Sequence, residues 1–111
     1  MLTRISKYQV MWILVNFDLP TETKKHRKAY AQFRKFLLDD GFNMMQFSMY
    51  ARHCSSRENA KVHVSRVKKQ LPEFGKVIVL EITDAQFDRM EFFYGKKKTI
   101  LSNHPKQLEL F

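Results

Sequence analysis

A run of eight mostly apolar residues at positions 10–17 (VMWILVNF) constrains this chain more than any other feature. The run is nearly unbroken and is closed by Asp18-Leu19-Pro20, so it predicts a β-strand that is covered on both faces. A strand buried in this way belongs at the centre of a sheet that has further layers packed against it. Pro20 and the threonines around it predict a turn that leads into a helix.

The residues that follow change from a helical repeat to a strand repeat. Apolar side chains recur at helical spacing within residues 23–40, at Ala29, Phe33, Phe36 and Leu37. Thr21 or Thr23 is the expected N-cap of this helix, and Gly41 is its expected end. Residues 45–52 then alternate apolar and polar, which predicts a strand with one covered face and places Phe47 on that face.

A second helix, a strand and two shorter strands are predicted in the remaining chain. Ser55 followed by Glu58 has the spacing of a capping box. Apolar residues then repeat along one helix face until Pro72, at Ala60, Val64, Val67 and Leu71. Residues 77–82 are β-prone, and alternating apolar residues predict short strands at 90–94 and 107–111.

This order predicts an α/β sandwich with both helices on one face of a sheet. If residues 43–53 bend into two strands, the order becomes βαββαβ, which is the ferredoxin-like arrangement. No linker or repeat divides the chain, so we expect one domain over residues 1–111. The short strands within about 86–111 have no place in a four-stranded sheet, and we expect them to pair with a partner protomer or another subunit.

The positive charge is concentrated in the middle of the chain. Thirteen of the 20 Lys and Arg residues lie between Lys24 and Lys76, together with four acidic residues, and this segment accounts for the net charge of +9. Such a surplus favours a polyanionic partner, most commonly nucleic acid, although a merely solvated basic surface is the alternative. The candidate phosphate-contacting residues lie on the two predicted helices: Lys24, Lys25, Arg27, Lys28, Lys68 and Lys69.

Other classes of protein are disfavoured by the residues that are scarce. Cys54 is the only cysteine, so neither an internal disulfide nor a cysteine-rich zinc site is expected, and its expected role is structural. No stretch approaches the roughly 20 apolar residues of a membrane span. We therefore expect a cytoplasmic protein with no membrane association.

Asp18 is the strongest candidate for chemistry in this sequence. It lies at the exit of the predicted central strand, where open α/β sheets commonly place their sites, although Asp-Leu-Pro is also an ordinary turn. One carboxylate is a poor Mg²⁺ site. Two copies of Asp18 across a dimer axis would supply two hard oxygen ligands for an ion that acts on a phosphodiester.

Four stretches together resemble the CRISPR-associated Cas-two family, in the variant that accompanies Cas-nine type II systems. They are residues 13–20 (ILVNFDLP), 27–42 (RKAYAQFRKFLLDDGF), 46–50 (QFSMY) and 83–94 (TDAQFDRMEFFY). The resemblance implies a ferredoxin-like homodimer that works with the Cas-one integrase on double-stranded protospacer DNA and inserts new spacers into the CRISPR array.

The resemblance also implies roles for individual residues. Asp18 matches the family's ligand for Mg²⁺ (or Mn²⁺) in metal-dependent endonucleases that act on RNA or DNA. Ser48 matches a family serine on the second strand and is a candidate catalytic residue with Asp18, while Arg34 lies in the matching helix segment and is a candidate nucleic-acid ligand. Two alternatives stay open: a stand-alone, toxin-like endoribonuclease on single-stranded RNA, and a non-catalytic ferredoxin-like RNA-binding module.

Overall fold

The computed structural model describes residues 10–99. The predicted strand at 107–111 and the first nine residues lie outside this range. Within it the elements follow in this order: β1 (Met11–Asp18), α1 (Lys24–Asp39), β2 (Asn43–Gln46), β3 (Met49–Cys54), α2 (Arg57–Lys69), β4 (Lys76–Thr83), α3 (Asp84–Phe87), β5 (Phe92–Tyr94) and β6 (Lys97–Thr99). No helix among these residues is long and apolar enough to cross a bilayer.

Four strands form one antiparallel sheet in the order β2-β3-β1-β4. Residues 43–54 do fold back on themselves as β2 and β3, and α1 and α2 pack on the same face. The arrangement is the ferredoxin-like βαββαβ sandwich, so the predicted fold class is confirmed. β1 lies between β3 and β4, and Asp18 is its last residue.

The apolar run in β1 is buried on both faces, as its continuity predicted. One set of side chains packs against α1 and α2: Met11, Ile13, Val15 and Phe17. Trp12 and Leu14 point to the other face and pack with Ala51 and Phe87. Each large apolar side chain buried in this way contributes roughly 1.5–3 kcal/mol to folding.

Among residues 10–99, the second face of the sheet is only partly covered. Phe87 of α3 stacks on Trp12 with ring centroids 3.8 Å apart, and the Trp12 indole N–H donates to the Asp84 carboxylate at 2.8 Å. Ile78 and Leu80 of β4, by contrast, are 65% and 51% exposed. The short helix α3 is absent from the sequence predictions because four residues are too few to show a helical repeat.

The ends of α1 agree with the sequence signals. The Thr23 hydroxyl accepts the His26 backbone N–H at 3.1 Å, so Thr23 is the N-cap. Gly41 has a φ of +91°, and its N–H and that of Phe42 bond back to the carbonyl oxygens of Leu38 and Leu37. A residue with a side chain is strained at this φ, which is why the helix ends at a glycine.

Two sequence predictions about single residues were wrong. Ser56, not Ser55, caps α2, because its extended backbone lets the hydroxyl accept the Asn59 N–H at 3.0 Å. Phe47 is 80% exposed, since the chain turns between β2 and β3 and interrupts the alternation that had placed it in the core.

Two further predictions needed correction near the ends of helices and strands. Leu71 follows the end of α2 and is 48% exposed, so it does not continue the buried face of that helix. The strand predicted at 90–94 is shorter, and it forms a hairpin in which Phe92–Tyr94 pairs with Lys97–Thr99. Within the described residues this hairpin is a separate two-stranded sheet.

Candidate functional site

Asp18 ends the central strand with its side chain exposed. It pairs in register with Lys76, the first residue of β4. Side chains directly opposite each other on antiparallel strands share a face, so a lysine lies across from this carboxylate. By the alternation of β1, Asp18 projects to the same side as Trp12 and Leu14, away from α1 and α2.

The backbone at Asp18 is held in place by a close approach of Gly75. A Cβ at Gly75 would lie 2.6 Å from the Asp18 carbonyl oxygen and 2.7 Å from Leu19 Cδ2, and the φ of Gly75 is +88°. Leu19 is itself 8% exposed and anchors the turn in the core. The position of Asp18 is therefore determined by packing on both sides of the residue.

Ser48 lies beside the same strand end. It sits in the turn between β2 and β3 with a φ of 66°, rather than within a strand as the resemblance implied. Its carbonyl oxygen accepts the Phe17 N–H at 3.0 Å. The structure therefore places the Ser48 backbone against Phe17, the residue next to Asp18, although thirty positions separate Ser48 from Asp18 in the sequence.

Arg34 reaches this region through Tyr50. Burial raises the pKa of the Tyr50 phenol above its usual value, and the Arg34 guanidinium beside it opposes that rise through its charge and a hydrogen bond. Tyr50 stacks on Phe17, with ring centroids 5.6 Å apart. Arg34 is thus held beside Tyr50, whose ring stacks on Phe17, and its own side chain is largely exposed.

Three of the candidate lysines converge on one groove. Lys25 and Lys28 of α1 and Lys69 of α2 line a cavity of about 480 Å³ between the start of α1 and the end of α2. Both helix ends lie at the end of the sheet where Asp18 is located, because α1 follows β1 and α2 precedes β4. We call this cavity the basic groove.

The other candidate cations lie outside the lining of the basic groove. Lys24 and Lys68 are exposed neighbours of the groove lysines in sequence. Arg27 donates to the carbonyl oxygens of Thr21 and Glu22 at 3.0 and 3.3 Å, so part of its hydrogen-bonding capacity holds the turn before α1.

The described residues of one chain do not form a complete metal site. No group of three or more His, Cys, Asp or Glu side chains among residues 10–99 is arranged to hold an ion. Asp18 has the hard oxygen donors that Mg²⁺ prefers, but a single carboxylate fits the ion only if a second chain or the nucleic acid supplies further oxygens. Cys54 offers no alternative, because it is buried and burial raises the pKa of its thiol.

Sequence reasoning missed a buried ionic cluster that joins α1, α2 and β3. The Asp40 carboxylate accepts from His63 Nδ1 and from Arg66 Nη1, both at 2.8 Å, and the Asp40 carbonyl oxygen accepts from Arg52 Nε at 2.7 Å. The spacing of His63 and Arg66 on one helix face was the available signal. The sequence pattern does not indicate that Asp40, at the end of α1, is the acidic partner of both residues.

The geometry first defines a class of protein. A βαββαβ sandwich with an exposed carboxylate at the end of its central strand, and lysines from both helices near that end, is a ferredoxin-like domain with a basic surface at one end of its sheet.

Comparison with known proteins then places the chain in a family. Residues 11–90 match the family described as CRISPR associated protein Cas2. A protein of Flavobacterium psychrophilum named CRISPR-associated endoribonuclease Cas2 is 59% identical over 109 residues, which cover 98% of this chain and 95% of the relative. A protein of the same name from Parvibaculum lavamentivorans is 55% identical over 101 residues, 91% of this chain and 100% of the relative. The chain belongs to the CRISPR-associated Cas2 family.

Proposed function

We propose that this chain is a CRISPR adaptation protein: a homodimeric scaffold that binds double-stranded DNA and works with the Cas-one integrase to insert new spacers. The observation that carries the proposal is the basic groove, in which lysines from both helices meet at the end of the sheet where Asp18 ends the central strand. Membership of the Cas2 family supports the CRISPR context. Lysines neutralise phosphates without reading base edges, so we expect sequence-tolerant binding that weakens steeply with salt.

The homodimer is supported by the part of this sheet face that the described residues leave exposed. Ile78 and Leu80 expose apolar surface on the face that also carries Asp18, and burying that surface against a second copy would stabilise a dimer. Two chains related by a twofold axis across this face would bring two Asp18 carboxylates towards each other. The dimer would carry twice the formal charge of +9 of one chain, spread over a surface long enough to follow a duplex.

A Mg²⁺-dependent endoribonuclease is the second candidate function. Its support is the name of the relatives, CRISPR-associated endoribonuclease Cas2, together with the exposed position of Asp18. Here paired Asp18 side chains would hold Mg²⁺ or Mn²⁺, and the ion would supply electrostatic stabilisation of a phosphodiester oxygen. Ser48 and Arg34 would contact the strand beside that site.

A spacer-integration assay with co-purified Cas-one tests the first function, and RNA cleavage with Mg²⁺ tests the second. The informative variant is Asp18→Asn, and its control is Asp39→Asn, which changes an exposed carboxylate that pairs with Lys35. We expect Asp18→Asn to abolish RNA cleavage and to retain integration. Failure of the wild-type protein to bind Cas-one or to support integration would refute the scaffold function, and cleavage by Asp18→Asn at the wild-type rate would refute the metal role of Asp18.

A further inference from the structure

The basic groove has a mixed character that a simple phosphate-binding surface does not need. Its cations are Lys25, Lys28 and Lys69, and Glu73 is the acidic residue in its lining. Its walls also include apolar and aromatic side chains and two amides: Phe33, Leu71, Pro72, Phe74, Gln32 and Gln70. The groove therefore combines charge, apolar surface and hydrogen-bonding groups within one concave site.

Phe74 is placed to contact a ligand that also reaches the lysines. It is partly exposed, the Lys25 ammonium lies 5.5 Å from its ring centroid, and the His26 ring packs against it edge-on at 4.9 Å. These contacts hold the Phe74 ring in place at the groove wall. Leu71 adds a further 48% exposed apolar side chain.

The size of the groove limits what can enter it. A volume of about 480 Å³ is that of a cube about 8 Å on edge, within the range of small-ligand sites. A DNA duplex is too wide to enter the basic groove, because the major groove of B-DNA alone is about 12 Å wide. A duplex would therefore contact only the rim of the basic groove. An inorganic anion would satisfy the lysines but would leave the apolar wall in contact with water.

We propose that the basic groove is a subsite for one unpaired nucleotide of a single-stranded segment, with the phosphate at the lysines and the base against Phe74 and Leu71. The inference rests on the proposed nucleic-acid-binding function. It adds the location at which the protein holds an unpaired nucleotide. Lysines with an aromatic platform are the combination that binds single strands without sequence preference. Phe74 is followed by Gly75, which contacts the Asp18 backbone, so the bound strand lies at the Asp18 end of the sheet.

The test compares a single-stranded DNA oligonucleotide, the matching duplex and the duplex with unpaired ends as probes of the full-length protein. Phe74→Leu retains apolar bulk but removes the ring, and Phe93→Leu alters an exposed aromatic residue outside the groove as its control. We expect Phe74→Leu to weaken binding of the single strand and of the unpaired ends about tenfold. Binding of the blunt duplex should change less than twofold in either variant.

A second pair of variants separates the groove from total charge. Lys25, Lys28 and Lys69 are changed together to Ala, and the control changes Lys61, Lys96 and Lys97, which are exposed and outside the groove lining. The groove variant should lower the salt dependence of single-strand binding by about two units of slope. Chemical shifts of the Gln32 and Gln70 side-chain amides should move when a short oligothymidine is added.

Each outcome decides a different point. Equal loss in both lysine variants, or unchanged single-strand affinity in Phe74→Leu, would overturn the groove proposal while wild-type duplex binding leaves the scaffold function intact. Absence of all nucleic-acid binding by the wild-type protein would refute the proposed function itself. Circular dichroism of every variant confirms that a lost affinity does not come from unfolding.

Discussion

Replacing Asp40 by Asn tests whether the buried ionic cluster holds the two helices on the sheet. The Asp40 and His63 side chains are 9% and 6% exposed, whereas Arg66 is 55% exposed. The ionised carboxylate accepts from His63 with one oxygen and from Arg66 with the other. Asparagine has one oxygen acceptor, so one of the two donors would face an NH₂ group.

The expected cost is dominated by the buried pair. Leaving the buried His63 Nδ1 donor without its acceptor costs roughly 1–3 kcal/mol, while the largely exposed contact to Arg66 contributes less than about 1 kcal/mol. An opposing gain of about 0.5 kcal/mol comes from removing a negative charge at the C-terminal end of α1. We therefore expect Asp40→Asn to lower the free energy of unfolding by about 2 kcal/mol, which is a fall in Tm of about 10 °C.

The loss should depend on pH in a defined direction. Burial raises the pKa of Asp40, but the hydrogen bonds and charges of His63 and Arg66 outweigh it, so the pKa lies below its ordinary value of 3.8. A lowered carboxyl pKa means that the stabilisation is complete above about pH 4 and disappears as the pH falls through the folded-state pKa. The difference between wild type and Asp40→Asn should therefore shrink below pH 4.

Urea denaturation at one fixed protein concentration, between pH 3 and pH 7, measures both effects. Asp39→Asn is the matched control, because Asp39 is 64% exposed and pairs with Lys35 one helical turn away, a contact worth about 0.5 kcal/mol or less. A cost at pH 7 that is no larger for Asp40→Asn than for Asp39→Asn would refute the reasoning. So would a difference that stayed constant down to pH 3.

Three further predictions concern the sheet. Changing Ile78 and Leu80 together to Glu should convert a dimer into a monomer in analytical ultracentrifugation, and an unchanged mass would exclude this face as the interface. Gly75→Ala should cost about 3 kcal/mol in chemical denaturation, because left-handed strain adds to the clash with the Asp18 carbonyl; Gly95→Ala, which meets no atom within 4 Å, should cost only about 1 kcal/mol. Equal costs would show that the close approach is unimportant. Cys54 should resist iodoacetamide in the native protein and react once in denaturant, since burial raises its thiol pKa; rapid native alkylation would contradict this.

The elements that carry a strong local repeat were predictable. The continuous apolar run of β1 and the helical spacing of α1 and α2 report burial directly, because each repeat matches the geometry of its own element. Thr23 and Gly41 were predictable for the same reason, since a cap acts on neighbouring residues. Phe47 was misplaced because one turn between β2 and β3 ends the alternation without a glycine or proline to mark it.

The candidate site divides in the same way. The sequence pointed to Asp18 through its place at the end of the central strand, and to the lysines through the position of the charge surplus. It could not show that Ser48 binds the Phe17 backbone, that Lys69 faces Lys25 across a groove, or that Phe74 forms its wall. These contacts join residues that are far apart in the chain, and the local sequence around each residue does not indicate its distant partner.

The sequence by itself determined the class of fold, the central strand and the sign and approximate location of the charge. Only the tertiary structure decided which cations share a groove, which apolar side chains stay exposed on the sheet, and that Asp40 is neutralised by the opposite helix. The physical reason is the separation in sequence between the residues that interact. Periodicity and capping are interactions within a few residues, whereas a site is made by packing, which brings distant segments into contact only after the whole sheet has formed.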